Sequence, residues 1–208
     1  MTATVRIHGI AASPGIAIGP ARVIDRQKIK TPRIRIAATQ VDAEKERFLA
    51  AVEESKQQLG TAKDAVKDTG GRPANGHSLI LEAHLFMLED EMYLHGIQEL
   101  IADELINAEW ALSQKTEEFS TILDGHENEY FRERAQDIEF VGGRILRNLL
   151  GHETEIVDTS GDPCIVITDK LSPVEATQLV GSAVLGFATE AGTRTSHTAI
   201  MAQALGIP

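Results

Sequence analysis

The hydrophobic period of this chain changes twice, and those changes limit its possible folds more than any single motif does. Between about Gln40 and Leu150, apolar residues recur every three, four or seven positions, the spacing of amphipathic helices. Both flanks instead carry short β-branched runs punctuated by Gly and Pro, the pattern of strands and turns. Val41, Phe48, Val52, Leu59, Ala62 and Val66 mark a first long helix, broken by "DTGGRPANG" at 68–76. A second helical stretch is predicted from Ser78 toward Ile106, and a third from Asn107 to Leu123. A fourth, from about Glu127 to Gly151, aligns Tyr130, Phe131, Arg134, Ile138, Val141, Ile145 and Leu149 on related faces. Four helices with short connections predict an antiparallel bundle.

The flanks read as one α/β unit. "TVRIHGIAAS" and "GIAIGPARVI" have the composition of strands, and "KIKTPRIRI" is an edge strand or a linker, since Pro32 argues against a central one. After Gly151, "PCIVITD" and "SAVLGFAT" are buried-strand runs separated by "KLSPVEATQLVG", a short helix opened by Ser172-Pro173. A last helix from about Thr198 buries Ile200, Met201, Ala204 and Leu205 and meets stop signals at Gly206 and Pro208. The predicted architecture is an α/β subdomain built from residues 1–37 and 151–208, with a helical subdomain inserted at 38–150.

Charge and composition narrow the partners. Residues 41–150 hold 23 Asp and Glu against 11 Lys and Arg, so the net charge of −11 belongs to the middle of the chain. Such a surface repels phosphate backbones and argues against nucleic acid, while it would attract a basic protein; ordinary solvated helix faces would carry the same charge. No apolar run is long enough to span a membrane, and "MTATVRIHGIAASPG" lacks the uninterrupted apolar core of a secretory leader. The single cysteine, Cys164, excludes an internal disulfide and fits the cytoplasm; within "PCIVITD" it reads as a packed, inert thiol.

Candidate chemistry concentrates in "ATEAGTRTSHTAIMAQALGIP", where a Gly/Thr/Ser-rich loop meets the last helix at His197. Backbone N–H groups at a helix start favour anions, Arg194 offers a fixed cationic fork, and Thr195, Ser196 and Thr198 add hydroxyls. The same position disfavours the imidazolium and leaves a neutral ring nitrogen able to attack. These ingredients suit an imidazole that accepts a phosphoryl group. They equally suit a helix capped by Ser196 with His197 lining a subdomain interface, and spacing alone does not separate the two.

"AGTRTSHTAIMAQALGIP" resembles the active-histidine signature of enzyme I of the bacterial phosphoenolpyruvate-dependent sugar phosphotransferase system, close to A-G-G-R-T-S-H-[TS]-[AS]-I-M-A-R-x-L-x-[IL]-P. Pyruvate phosphate dikinase and related phosphohistidine domains share only its T-S-H core. "GIAASPGIAIGPA" resembles the family's N-terminal strand motif, and "LEAHLFMLEDEM" and "NEYFRERAQDIEFVGGRILRNLLG" resemble two helices of its inserted bundle. The resemblance runs through nearly the whole chain in the family's order.

It implies that His197 takes a phosphoryl group from phosphoenolpyruvate through Nε2 and passes it to the phosphocarrier protein HPr. Arg194, Thr195, Ser196 and Thr198 would orient the ring or stabilise the transferring group. The bundle would dock HPr, with His84, Leu85, Met87, Leu88 and Glu91 on one docking helix and Tyr130 and Arg134 on its neighbour. "AHLFMLEDE" also holds more apolar side chains than one buried stripe needs. For His84 the other readings are a packed helix histidine, or one hydrogen-bonded to Asp137.

Two departures from the family pattern stand out. Thr193 replaces the second glycine of G-G-R, which would strain a backbone that needs positive φ unless the loop adjusts. In "LSPVEATQL", aligned with L-[TS]-P-S-[DE]-T-A-Q-L, the threonine that meets the imidazole in relatives falls on Ala176, with Thr177 one place later.

Family members are longer and carry a C-terminal (β/α)8 barrel that binds phosphoenolpyruvate and Mg²⁺ and dimerises. The resemblance therefore implies an N-terminal fragment, monomeric, without a cofactor or metal site of its own, and unable to phosphorylate itself from phosphoenolpyruvate. The competing readings are a nitrogen-related enzyme I paralogue or another phosphohistidine carrier, and a non-catalytic module that only docks HPr.

Overall fold

Helix periodicity and capping account for most of the middle of the chain. The computed structural model describes residues 4–24, 30–68, 75–151, 162–179, 182–190, 192–194 and 196–208. Two compact units are formed, Gln27–Val157 and the pair of segments Met1–Arg26 and Asp158–Pro208.

In the first unit α1 (Val41–Asp68), α2 (Asn75–Met87), α3 (Glu91–Glu104), α4 (Ala108–Asp124) and α5 (Glu129–Leu149) follow one another. α1 packs on α2 and α5, and α4 packs on both α3 and α5. Phe48, Ala51, Val52, Ser55 and Leu59 form the buried stripe of α1 at helical spacing. Ile97 and Ile101 of α3, Ala111 and Leu112 of α4, and Val141 and Ile145 of α5 complete the apolar interior.

The stretch predicted as one helix from 78 to 106 is two. Asp90 accepts a hydrogen bond from the Tyr93 backbone N–H at 3.0 Å and so caps a new helix, α3. α3 ends at Leu105, the one described non-glycine residue with positive φ, at 51°.

Asn107 precedes α4 but does not cap it. Its Oδ1 accepts from the Ile34 N–H at 3.0 Å, and its Nδ2 donates to the Pro32 carbonyl and to Glu109 Oε2. The α4 start is capped instead by Glu44, whose Oε2 accepts from the Ala108 N–H at 2.8 Å. Residues 34–36 thus lie against the α3–α4 connection, with Arg35 bridging Ile106 in antiparallel fashion. The described part of "KIKTPRIRI", residues 30–36, holds this one bridge and no strand.

A polar layer joins α1 to α5. Asn148 Nδ2 donates to Ser55 Oγ at 2.8 Å, Gln58 Nε2 donates to Asn148 Oδ1, and Arg144 Nη1 donates to Gln58 Oε1. Every polar group in this layer meets another, so burial there costs little.

The second unit is a three-stranded parallel sheet in the order β1 (Ala21–Ile24), β2 (Cys164–Thr168) and β3 (Val184–Thr189). α6 (Pro173–Gln178) connects β2 to β3, and α7 (His197–Leu205) follows β3 and packs on α6. Cys164 is buried and free, as its strand context predicted. Residues 4–20, read from sequence as strands, contain none. Val5, Ile7, Ile16 and Ile18 are exposed, and β1 begins only after Gly19 and Pro20. Pro14, Gly15 at φ 138° and Pro20 interrupt the run, and a strand needs a partner that alternation cannot supply.

Candidate functional site

The loop after β3 delivers the start of α7 to the C-terminal edge of the parallel sheet, where open α/β sheets place their ligands. The Glu190 N–H donates to the Thr168 carbonyl at 3.1 Å, fastening the end of β3 to the end of β2. Gly192 then takes the left-handed φ of 143°, and the Ser196 N–H closes a turn on the Thr193 carbonyl at 3.3 Å. Ser196 is the N-cap, extended at φ −60° and ψ 150°, with Oγ accepting from the Ala199 N–H at 3.3 Å. His197 is the first residue of the helix.

This geometry resolves one departure and leaves another. The left-handed conformation falls on Gly192, so Thr193 sits exposed without backbone strain. Ala176 is buried at 1% exposure on α6, so the methyl group there has no hydroxyl to offer a ring. The side chains of His197 and Thr177, and the whole of Thr195, lie outside the described residues.

Both described hydroxyls at the helix start, Ser196 and Thr198, take part in hydrogen bonds. Ser196 Oγ accepts from the backbone and keeps its proton for another acceptor. Thr198 Oγ1 donates to the Leu171 carbonyl at 2.6 Å, so its proton is committed and cannot reach a phosphoryl oxygen. Arg194 is exposed beside them. The early N–H groups of α7 have no partner within the helix and carry its positive dipole end. The arrangement suits an anion. Among the described residues no three His, Cys, Asp or Glu side chains come together to hold a metal ion.

The expected partner face divides cleanly by burial. Leu81, His84 and Leu88, spaced three and four apart, point into the interior. His84 at 2% and Leu88 at 0% exposure therefore cannot touch a partner, which corrects their assignment to the docking face. His84 Nε2 lies 3.0 Å from Asp137 Oδ1, and Arg134 Nη1 lies 3.3 Å from Asp137 Oδ2. This is the histidine–aspartate pair that the sequence offered as one alternative.

Exposed are Leu79 and Phe86 of α2, at 61% and 70%, and Met92 of α3, at 76%, with Leu85 and Met87 half-buried. Glu89, Asp90 and Glu91 are exposed beside them. Sequence reasoning missed Leu79, Phe86 and Met92 as individuals, although the seven-residue step from Leu79 to Phe86 marks a second apolar stripe. Tyr130 lies on α5 with its side chain outside the described residues, and Arg134 is half-buried.

Burial raises the Tyr93 hydroxyl pKa to about 12, against a smaller lowering by its bond to Thr116. Burial also pushes the Glu109 carboxyl upward. The hydrogen bonds and charge of Arg47, with the amide of Asn107 and its own backbone, outweigh that and hold it below its ordinary value.

Comparison with known proteins gives the same order of parts. A family model described as PEP-utilising enzyme, N-terminal, matches residues 8–134, and one described as PEP-utilising enzyme, mobile domain, matches residues 160–208. The phosphoenolpyruvate-protein phosphotransferase of Bacillus sp. (strain S) is 38% identical over 205 residues, covering 97% of this chain and 34% of the relative. That of Geobacillus stearothermophilus is 38% identical over 202 residues, with 97% and 34% covered. The chain thus spans about a third of the length of these curated relatives. A solution structure of enzyme I (nEIt) matches with a TM-score of 0.73 at 36% identity, over 95% of this chain and 78% of that one. The N-terminal domain of enzyme 1 – nitrogen shares the fold, with a TM-score of 0.64 at 24% identity over 98% and 82% of the chains. Among the described residues no helix is long and apolar enough to cross a membrane.

Proposed function

The chain belongs to the PEP-utilising enzyme family, and from that premise we propose that it is the phosphohistidine-carrying N-terminal part of a phosphotransferase-system enzyme I, with His197 as the carrier. The observation that carries this reading is the position of His197 as the first residue of a Ser196-capped helix at the C-terminal edge of a parallel sheet. In a partial reaction with phosphorylated HPr, the His197 ring nitrogen, Nε2, forms a bond to phosphorus as the N–P bond on the HPr histidine breaks. The departing imidazole keeps the bonding electron pair, and the reverse step returns the group. Charge on the phosphoryl oxygens is met by the first-turn N–H groups, the Arg194 guanidinium and the spare Ser196 proton. Phosphoenolpyruvate and Mg²⁺ belong to a further domain of the full-length enzyme, and no step here runs through them.

The helical unit, read as an antiparallel bundle inserted into the α/β unit, docks the phosphocarrier. Leu79, Phe86 and Met92 supply an apolar centre, Leu85 and Met87 its margin, and Glu89, Asp90 and Glu91 an acidic rim for a basic partner. Tyr130 and Arg134 of α5 extend it. The sugar branch is favoured over the nitrogen branch because the chain shares 36% identity with the solved enzyme I (nEIt) and only 24% with the enzyme 1 – nitrogen domain, a likeness of fold.

Incubation with HPr carrying a radiolabelled phosphoryl group tests the assignment. The chain becomes labelled, its His197→Ala variant does not, and neither is labelled by phosphoenolpyruvate alone. Absence of label on the wild-type chain, or equal label on the variant, sinks the proposal and leaves a docking module.

A further inference from the structure

The β2–α6 connection is held by side-chain hydrogen bonds at both of its ends. Thr168 Oγ1 donates to Asp169 Oδ1 and to the Lys170 carbonyl, closing the turn that leaves β2. Ser172 then opens α6 with a reciprocal cap. The Ser172 N–H donates to Glu175 Oε2 at 2.7 Å, and the Glu175 N–H donates to Ser172 Oγ at 3.3 Å. Leu171, at 2% exposure, lies between these two arrangements.

Onto that carbonyl reaches Thr198, from 27 residues later in the chain, with a side-chain bond of 2.6 Å. A threonine within a helix ordinarily turns its hydroxyl back to a carbonyl of the preceding turn. Thr198 is the second residue of α7, so the helix offers it no such acceptor, and its hydroxyl goes outward to α6's leading loop instead. The bond therefore fixes the helix start relative to the sheet one residue from His197. The methyl of Ala176, buried on α6, can make no bond of this kind.

We propose that Thr198 is a positioning residue for phosphoryl transfer, and that its hydroxyl, tied to the Leu171 carbonyl, holds the backbone of the first turn of α7, where His197 begins the helix, against the β2–α6 loop. The proposal rests on His197 as the phosphoryl carrier. It assigns orientation to a side chain whose proton is unavailable to the phosphoryl oxygens, and it places the support for the ring's backbone on α7 itself instead of on residue 176. In-line transfer tolerates little misplacement of the attacking nitrogen, and small shifts of a positioned group cost between one and two orders of magnitude in rate.

The test uses the full chain with phosphorylated HPr as donor. Thr198→Val keeps the shape of the side chain and removes the hydroxyl; Thr198→Ser keeps the hydroxyl and removes the methyl. Thr198→Val is expected to lower the maximum rate of transfer about tenfold with KM within about twofold. Thr198→Ser is expected to recover most of that rate. The Leu171 carbonyl ¹³C resonance shifts upfield in the valine variant and stays in place in the serine variant. Wild-type rate in Thr198→Val, a change confined to KM, or a serine variant as slow as the valine one each overturns the proposal. Should Thr198→Val fail to fold, the serine variant decides alone, because a slow, folded Thr198→Ser assigns the effect to the methyl group. Label on His197→Ala overturns the carrier assignment itself, whichever way the Thr198 variants behave.

Discussion

Arg47 grips Glu109 across 62 positions of sequence with two hydrogen bonds, Nη1 to Oε1 at 2.8 Å and Nη2 to Oε2 at 2.7 Å. The guanidinium also reaches Glu44 at 2.9 Å and the Leu149 carbonyl at 3.2 Å, so one side chain joins α1 to the start of α4 and the end of α5. Removing it leaves the buried Glu109 carboxylate short of its cation. Arg47→Ala is expected to destabilise the helical unit by about 2 kcal/mol, less than for a fully buried pair because the arginine is 39% exposed. Urea unfolding measures this, and a loss under about 0.5 kcal/mol would contradict the account.

The same pair predicts an acid-side signature. The folded Glu109 carboxyl titrates below its ordinary value of 4.5, so its contribution is full above that pH and lost as pH falls through the folded value. Wild-type stability should therefore decline more steeply below about pH 4.5 than that of Glu109→Gln. Parallel declines of the two thermal midpoints would refute it.

On the alkaline side the sign is set by Tyr93, raised to about 12 by burial. A buried neutral phenol contributes fully below its ordinary value of 10.0, and that contribution disappears as pH rises through about 12. Tyrosinate absorbance should show a late step that Tyr93→Phe removes; a single step near the ordinary value would be the contrary result.

Two adjacent glycines of α5 predict opposite responses to one substitution. A Cβ on Gly142 would lie 2.5 Å from Thr116 Oγ1 of α4, whereas a Cβ on Gly143 meets nothing within 4 Å. Gly142→Ala should cost about 2 kcal/mol through overpacking at the α4–α5 contact. Gly143→Ala should gain about 0.5–1 kcal/mol from helix propensity. Equal effects in denaturant melts would mean the two helices can separate at Gly142 without cost.

For the proposed docking face, exposure separates binding from folding. Phe86→Ala should weaken binding of HPr about tenfold in calorimetry with little change in thermal stability. Leu88→Ala should do the reverse, costing about 3 kcal/mol of stability through an interior cavity. Unchanged affinity in Phe86→Ala would move the docking face elsewhere.

Local signals carried much of the architecture. The amphipathic spacing located α4 and α5 to within about two residues, because each is bounded by a turn residue or an acidic start. The break between α2 and α3 was hidden because the apolar stripe of Leu81, His84 and Leu88 runs straight to it without Gly or Pro. Only the bond from the Tyr93 N–H to Asp90 reveals the new cap. The strands expected within residues 4–20 failed for a nonlocal reason, since β-branched alternation says nothing about whether a neighbour is present to pair. At the site, Ser196 as cap was legible from residue order alone, while the helix start was read at about Thr198 and lies at His197. The bond from Thr198 to Leu171 was not, because it joins a helix start to a loop 27 residues earlier.

The fastening of residues 34–36 to the α3–α4 connection also decides where mechanical load goes. The Ile34 and Ile36 N–H groups donate to Asn107 Oδ1 and the Leu105 carbonyl, and the Asn107 N–H donates back to the Ile34 carbonyl. Tension arriving along the linker at residues 30–33 is borne by these bonds before it reaches α1. With Pro32 also held by Asn107 Nδ2, the segment leading into α1 is anchored independently of the first helix and its buried stripe.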